Sequence, residues 1–137
     1  MPTAVETGET AQLILELVHR MHQSFARIAF ELGLTPPLLA ALKSLDAPAP
    51  MGRLAAELGC DASNVTWMTD RLEERGLVER TPDPLDRRVR RLVLTDEGRR
   101  LRAEFERRLR RAVPGLDRLT GAERRTLGRL LSRMLYG

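Results

Sequence analysis

Apolar residues recur at alternating spacings of four and three along the first predicted helix, from Ala11 to Leu32. This period gathers them into one narrow seam along the helix. The seam consists of Ile14, Val18, Met21, Phe25, Ile28 and Leu32. Because a seam of this kind is buried against another helix, the pattern predicts a helical partner for the first helix.

Two short helices and a loop are predicted to follow. Thr35 is predicted as the N-cap of the second helix, with Pro36 at its first helical position. Residues 46–50 include two prolines and are predicted to form a loop. A third helix is predicted over residues 51–58, and it stops at Gly59.

The fourth predicted helix runs from about Asp61, its N-cap, to Arg75. Val65, Met68 and Leu72 are spaced so that they face inward together. Two helices joined by a short turn that contains glycine form the helix-turn-helix arrangement.

The chain changes character after this helix. Leu77–Arg80 and Val89–Leu94 contain β-forming residues, and Thr81–Asp86 between them is rich in proline and aspartate. This pattern predicts a β-hairpin.

Two longer helices are predicted to complete the chain. Thr95 is predicted to cap the fifth helix, in which Gly98 is an unexpected but tolerable residue. A Pro-Gly pair ends this helix, and Thr120–Glu123 has the sequence of a capping box that opens the sixth. The sixth helix carries an apolar stripe that consists of Leu127, Leu130, Leu131, Met134 and Leu135.

This order of elements predicts a mainly α fold with a small β-hairpin, a winged helix-turn-helix with long N- and C-terminal helices. We interpret residues 1–137 as a single domain, with the winged-helix lobe at about residues 35–98. The helical regions at about 10–32 and 99–137 exceed what so small a lobe needs to cover it. We therefore predict that they form an isologous homodimer, with a monomeric bundle as the alternative.

The position of the charges favours a polyanionic partner such as nucleic acid. The formal net charge is +4, and 22 of the 23 basic residues are arginine. Residues 1–50 carry 3 basic and 5 acidic side chains, whereas residues 51–137 carry 20 and 14. The positive excess therefore lies in the second half of the chain. A genome rich in G·C favours arginine codons, and this is an alternative explanation for the predominance of arginine over lysine.

Membrane and catalytic functions have no candidate residues. No apolar run approaches the roughly 18 residues that span a bilayer, and the N-terminus lacks a basic flank and an apolar signal core. We therefore expect a soluble, cytoplasmic protein without a membrane partner. No phosphate loop, HExxH motif or nucleophile elbow is present, so we expect no enzyme activity and no cofactor.

Redox and metal chemistry are also disfavoured. Cys60 is the only cysteine and excludes an intramolecular disulfide. We interpret it as a packed thiol, with a redox role as the alternative. Glu16, His19 and His22 could offer metal ligands on one helix face, but a surface histidine pair is the preferred interpretation and no metal site is predicted.

The segment Leu54–Gly98 resembles the DNA-binding lobe of MarR-type (multiple antibiotic resistance regulator) transcription factors. Its most specific part is Asp83-Pro84-Leu85-Asp86-Arg87-Arg88, followed at the family's spacing by Leu94-Thr95-Asp96-Glu97-Gly98. The resemblance implies a sequence-specific transcriptional regulator. We interpret the chain as a homodimeric repressor, with an activator as the alternative, that binds a pseudo-palindromic operator in double-stranded DNA. The alternatives are a winged-helix protein-interaction module and a nonspecific chromosome-binding protein.

The exposed face of the fourth helix is the candidate for reading the major groove. It is lined by Ser63, Asn64, Thr66, Trp67 and Arg71. Serine, asparagine, threonine and arginine can contact base edges or phosphates, and an exposed indole usually marks a contact. Alternatives stay open: Ser63 and Asn64 only cap the helix, Arg71 is a solvated charge, or Trp67 packs under the hairpin.

Arginine is concentrated at the tip of the hairpin, where it suits phosphates and the electronegative minor groove. The candidate residues of this wing are Asp86, Arg87, Arg88, Arg90 and Arg91. The resemblance assigns Arg88 to the minor groove with Asp86 orienting it. Arg90 and Arg91 are predicted to contact phosphates, and Asp70 to hold a wing arginine by a salt bridge. A solvated charged face is the alternative.

The resemblance also implies control by a small effector, commonly an aromatic anion bound in a cleft between the dimerisation helices and the DNA-binding lobe. Phe25 and Phe30 are the aromatic candidates for lining such a cleft. Because aromatic residues make up only 4% of the chain, a regulator without an effector is the alternative.

Overall fold

The computed structural model describes residues 3–137, and this range contains six α-helices and a small antiparallel sheet. The helices are α1 (Ala4–Glu31), α2 (Pro36–Lys43), α3 (Met51–Leu58), α4 (Ala62–Glu74), α5 (Asp96–Arg111) and α6 (Gly121–Tyr136). The strands are β1 (Ala49–Pro50), β2 (Val78–Pro82) and β3 (Arg90–Leu94), and their order in the sheet is β1-β3-β2. The predicted mainly α winged helix-turn-helix with long terminal helices is confirmed.

The chain divides into two compact units. The terminal unit comprises the chain up to Gln23 together with Arg111–Gly137, and the winged-helix unit is Ser24–Arg110. The winged-helix unit therefore contains the C-terminal part of α1, all elements from α2 to β3, and α5 up to Arg110. The single domain predicted from the sequence, with its lobe at about 35–98, stays a prediction.

Aliphatic side chains form most of the core of the winged-helix unit. Val65, Met68 and Leu72 of α4 are buried, which confirms the predicted inner face of that helix. Phe105 of α5 is fully buried and meets Phe25 of α1 edge-on, with 5.1 Å between the ring centroids. This aromatic pair joins α1 to α5 within the unit.

The first helix begins at Ala4 rather than at the predicted Ala11. Thr3 and Glu6 explain the earlier start, because they form a reciprocal capping box. The Thr3 hydroxyl accepts the N–H of Glu6 at 3.2 Å, and the Glu6 carboxylate accepts the N–H of Thr3 at 2.7 Å. This cap lies upstream of the apolar seam, so the periodicity did not indicate it.

The predicted loop at residues 46–50 is wrong at its end, because Ala49 and Pro50 form β1. Ala49 pairs with Leu92 and Pro50 with Arg91 of the central strand. Proline is tolerated because β1 is an edge strand, where one side of the backbone needs no hydrogen bond.

The predicted β-hairpin is confirmed, although its strands extend further toward the tip on one side. β2 continues beyond Arg80 to Pro82, and it pairs with β3 from Val78 opposite Leu94 to Pro82 opposite Arg90. The connection between the strands is residues 83–89, so it lies further along the chain than the predicted turn at Thr81–Asp86, and β3 begins at Arg90 rather than at the predicted Val89.

Helix caps follow the sequence with one exception. The Thr95 hydroxyl accepts the N–H of Gly98 at 3.0 Å, and Thr120 forms the predicted capping box with Glu123. Thr35 occupies the N-cap position of α2, but its side chain makes no capping hydrogen bond. Pro37 occupies the second helical position and carries no N–H, so only the N–H of Leu38 is left as a capping donor for the Thr35 hydroxyl.

Gly98 is required by close packing rather than merely tolerated. A Cβ atom at this position would collide with the carbonyl oxygen of Leu77, and it would lie 3.3 Å from a methyl group of Leu94. The backbone of α5 therefore passes directly against the start of the hairpin.

We expect Gly98→Ala to destabilise the protein by about 1–3 kcal/mol, because the added methyl must displace backbone. Urea denaturation measures this change in the free energy of unfolding. Gly52→Ala is the matched control, since a Cβ at Gly52 of α3 meets nothing within 4 Å. Equal stability of the two variants would contradict the close approach.

In the part of the chain that the structure describes, no single helix has the length and apolar composition to cross a membrane. By those two criteria alone α1 and α2 qualify together, as a pair bent by 94°.

Candidate nucleic-acid interface

A side-chain cap fixes the N-terminus of α4. One carboxylate oxygen of Asp61 accepts the N–H of Asn64 at 2.9 Å and the Ser63 hydroxyl at 2.8 Å. These hydrogen bonds hold the pKa of Asp61 below its ordinary value, and the bond from the N–H of Asn64 has the larger effect. The cap therefore stabilises the fold at pH values above the pKa that Asp61 has in the unfolded chain. This contribution is lost as the pH falls through the lower pKa that Asp61 has in the folded chain.

The five candidate residues of α4 all lie on its exposed face. They are Ser63, Asn64, Thr66, Trp67 and Arg71. The Ser63 hydroxyl serves the cap, and the Thr66 hydroxyl donates to the carbonyl of Ala62 at 3.0 Å. Asn64, by contrast, contributes only its backbone N–H to the cap.

Trp67 and Arg71 are stacked one turn apart on this face. The Arg71 guanidinium lies 5.9 Å from the centre of the indole ring, within reach of a cation–π interaction. Glu74 accepts a hydrogen bond from Arg71 at 2.9 Å. The indole is 48% exposed, so these contacts orient a side chain that is still open to a partner.

Aspartate side chains shape the tip of the wing. Asp83 accepts the N–H of Leu85 at 2.8 Å, and Asp86 accepts the N–H of Arg88 at 3.0 Å. A hydrogen bond from the N–H of Asp83 to the carbonyl oxygen of Val89, at 2.9 Å, closes the turn at the tip of the hairpin. Asp86 thus contacts the backbone of Arg88, so any orienting effect on this arginine acts through the turn.

The wing arginines differ in their surroundings. Arg87, Arg88 and Arg90 are exposed, whereas Arg91 is half-buried between its sheet neighbours Pro50 and Thr81. Because side chains alternate along a strand, Arg90 and Arg91 point to opposite faces of the sheet. The two arginines that the sequence grouped together therefore occupy different environments.

A salt bridge ties the wing to α4, the candidate recognition helix. Asp70 of α4 accepts a hydrogen bond from Arg80 of β2, and Glu73 lies 3.9 Å from the same guanidinium. The sequence predicted that Asp70 would hold a wing arginine, and the partner is Arg80 rather than one of the tip arginines.

An apolar groove lies beside the recognition helix within the winged-helix unit. Its volume is about 580 Å³, and it is lined by Phe25, Pro36, Pro37, Ala40, Leu58, Cys60, Asn64, Trp67 and Met68. Trp67 thus borders α1 and α2 residues, and no hairpin residue lines this groove. Phe30, the other aromatic candidate, is exposed elsewhere on α1.

Metal-ligating residues do not converge in the described range. Within residues 3–137, no group of three or more His, Cys, Asp or Glu side chains could hold a metal ion. His19 and His22 are both exposed on α1, and Cys60 is half-buried in the turn before α4.

Comparison with known proteins places this geometry in a family. A sequence profile of the MarR family matches residues 34–89, which run from the end of α1 to the wing. A proposed transcriptional regulatory protein for the hcr operon of Thauera aromatica is 34% identical over 116 residues, 82% of this chain and 70% of that protein. The transcriptional repressor MdtR of Bacillus subtilis is 43% identical over 68 residues, 48% of this chain and 44% of the repressor. The chain thus spans about half the length of this last relative.

Solved structures agree with the sequence comparison. A MarR family protein from Bacillus stearothermophilus superposes with a TM-score of 0.83 at 26% identity, over 98% of this chain and 96% of that one. A Staphylococcus aureus MepR mutant bound to an oligodeoxyribonucleotide has a TM-score of 0.70 at 22% identity, over 92% and 95%, and shares the fold. The protein is a winged helix-turn-helix protein of the type found in transcriptional regulators. It belongs to the MarR family.

Proposed function

We propose that this chain is a homodimeric, sequence-specific DNA-binding regulator of transcription. The observation that carries the proposal is a set of free cations beside an exposed recognition helix. Within residues 3–137, Arg87, Arg88 and Arg90 form no ion pair, whereas five of the seven arginines of α5, all except Arg110 and Arg111, are paired with a carboxylate. Guanidinium groups left free on a projecting wing suit a polyanion.

In this proposal the two parts of the interface have different tasks. The exposed face of α4, with Asn64, Trp67 and Arg71, enters the major groove and contacts base edges. Arg88 on the wing enters the adjacent minor groove, and the exposed Arg90 contacts phosphates. The Arg80–Asp70 bridge fixes the angle between the two parts.

The terminal unit supports a homodimer. α6 has no buried residue in the single chain, and Leu131 and Met134 are 41% and 63% exposed. Leu13, Leu15 and Val18 of α1 are exposed in the same unit. Apolar side chains in such number are covered by a second copy rather than by water. Two copies then present two recognition helices to a pseudo-palindromic operator, with half-sites about 10 bp apart.

Repression is the mode of regulation that we propose, because one relative, MdtR, is named as a repressor. The action on chromosomal DNA is also the reason for proposing a cytoplasmic location. A protein-interaction module would instead present apolar residues on the face of α4 that carries Ser63, Asn64 and Thr66.

The wing assignment predicts that Arg88→Ala weakens operator binding by about 1–3 kcal/mol. The side chain is exposed, so its removal leaves the core unchanged and the melting curve should not move. Fluorescence anisotropy with an operator selected from random-sequence duplexes measures the affinity. Arg100→Ala on α5, which removes an equal charge, is the control. Unchanged affinity of Arg88→Ala would refute this role.

Competition with scrambled DNA tests the proposed function as a whole. A specific regulator stays bound to its selected operator when scrambled duplex is added in large excess, since specific sites bind about 10³–10⁷ times more tightly. Equal displacement by both duplexes would identify a nonspecific chromosome-binding protein. Failure to bind either duplex would favour the interaction module.

We further propose that the apolar groove receives an effector that is neutral rather than anionic. The described lining contains no basic side chain that would compensate a carboxylate, and Asn64 is its one amide. Because Asn64 and Trp67 belong both to the groove and to the DNA-reading face, a bound ligand would alter DNA contacts directly.

A matched pair of small ligands tests the charge preference. We expect benzamide to bind at least about tenfold more tightly than benzoate, because an unpaired carboxylate is costlier to desolvate than an amide. The fluorescence of Trp67, the only tryptophan, reports binding. Ala40→Leu, which fills the groove, is expected to abolish the signal change. Tighter binding of benzoate would contradict the proposal.

A further inference from the structure

A single side chain ties the C-terminal end of the recognition helix to the C-terminal end of α1. Arg75 is the C-cap residue of α4. Its guanidinium donates to the backbone carbonyl oxygen of Gly33 and, at 3.5 Å, to that of Leu32. Both helix ends belong to the winged-helix unit, so the contact lies within one compact body.

The end of α1 is built to accept these hydrogen bonds. Gly33 has a φ of 73°, and the N–H groups of Gly33 and Leu34 bond back to the preceding turn at 3.0 and 2.9 Å. This arrangement satisfies earlier carbonyls and leaves those of Leu32 and Gly33 at the negative end of the helix dipole. The last turn of α1, residues 28–31, carries no basic side chain, so Arg75 supplies the cation.

The geometry selects arginine on one side and glycine on the other. A guanidinium reaches two carbonyl oxygens with one planar group, which the single ammonium of lysine does not reproduce. A Cβ at Gly33 would make ordinary van der Waals contact with Nη2 of Arg75 at 3.4 Å, and it is the φ of 73° that favours glycine there. Arg75 is exposed, and the expected gain in overall stability is therefore small.

The contact is important because α1 also carries residues of the proposed dimer interface. The same helix extends back to Ala4 and carries the exposed apolar side chains Leu13, Leu15 and Val18, which the second copy covers in the proposed homodimer. α4 is therefore tied to a helix that the second copy would hold. We propose that Arg75 is a positioning residue that sets the separation of the two recognition helices, and so the operator spacing that the dimer accepts. This inference rests on the proposed function.

Operators with altered spacing test this role. The selected operator is compared with versions in which one base pair is inserted or removed between the half-sites, and the spacing penalty is the ratio of the dissociation constants. We expect Arg75→Gln to reduce this penalty by about three- to fivefold, the upper range for an exposed charged contact, and Arg75→Lys to reduce it less. Affinity for an isolated half-site is expected to be unchanged.

Arg27→Gln is the matched control, because it removes one exposed positive charge from α1 without touching α4. A loss of affinity by Arg75→Gln that is equal on all three operators would overturn the proposal and identify an ordinary phosphate contact. A spacing penalty for Arg75→Gln that equals that of the wild-type protein would also overturn the proposal.

A measurement without DNA separates this inference from the proposed function. Spin labels at Ala62→Cys, in a Cys60→Ala background, report the distance between the two recognition helices of the dimer. Arg75→Gln is expected to broaden this distance distribution while the melting temperature stays constant. An unchanged distribution overturns the positioning role even if operator binding is specific. If wild-type protein does not prefer its operator, the proposed function fails whatever the distances show.

Discussion

Leu131→Glu is expected to separate the homodimer into monomers and to lower operator affinity by about 10²–10⁴-fold, the factor contributed by linking two binding sites. Leu131 lies on the apolar stripe of α6, and in the dimer it would be desolvated. Burying an unpaired carboxylate in a desolvated interface costs several kcal/mol of binding free energy. This cost is large enough to dissociate the dimer. Analytical ultracentrifugation measures the loss of the dimer.

Ser132→Glu is the control for this variant. It adds the same charge to the next residue, which is exposed and lies off the apolar stripe of the helix. We expect this control to remain dimeric and to bind the operator as wild type does. If Leu131→Glu also sediments as a dimer, the interface between the copies lies elsewhere.

Those features of the fold that arise from local periodicity were predictable. The inward face of α4 follows from the spacing of Val65, Met68 and Leu72, and the caps at Asp61 and Thr120 follow from local side-chain chemistry. Each of these signals needs only residues within one or two helical turns of each other. The order of such elements was sufficient to define the winged helix-turn-helix.

Contacts between distant segments were not predictable in the same way. β1 exists because Ala49 meets Leu92 across the sheet, and a two-residue strand has no periodicity of its own. The need for glycine at position 98 comes from the carbonyl of Leu77, which belongs to another element. Such requirements depend on the packing of elements and leave no mark on the local pattern.

The candidate site shows the same division. The exposed positions of α4 and the arginines of the wing could be named from sequence, because a helix face and a charged turn are local properties. Arg80 and Arg75 were missed as partners of Asp70 and Gly33, since their roles depend on which elements meet. Residues that would touch DNA were thus easier to name than residues that position them.

Raising the salt concentration from 50 to 200 mM is expected to weaken operator binding by about 10³–10⁵-fold, if the dimer neutralises about 6–10 phosphates. The wing supplies the cations for this, because Arg87, Arg88 and Arg90 have no ion pair within residues 3–137 and are free to displace counterions. Arg71 adds a further cation on each recognition helix, and in the free protein it is paired with Glu74 at 2.9 Å.

The slope of the logarithm of affinity against the logarithm of salt concentration separates the roles of these residues. Arg90→Gln is expected to make the slope shallower by about two, one phosphate contact for each copy in the dimer. Arg100→Gln on α5 removes the same charge, but its guanidinium is already paired with Glu97 at 3.8 Å, so the slope should not change. A wild-type slope near zero would mean that the wing arginines do not face phosphates, and binding through an apolar protein interface would then be the better explanation.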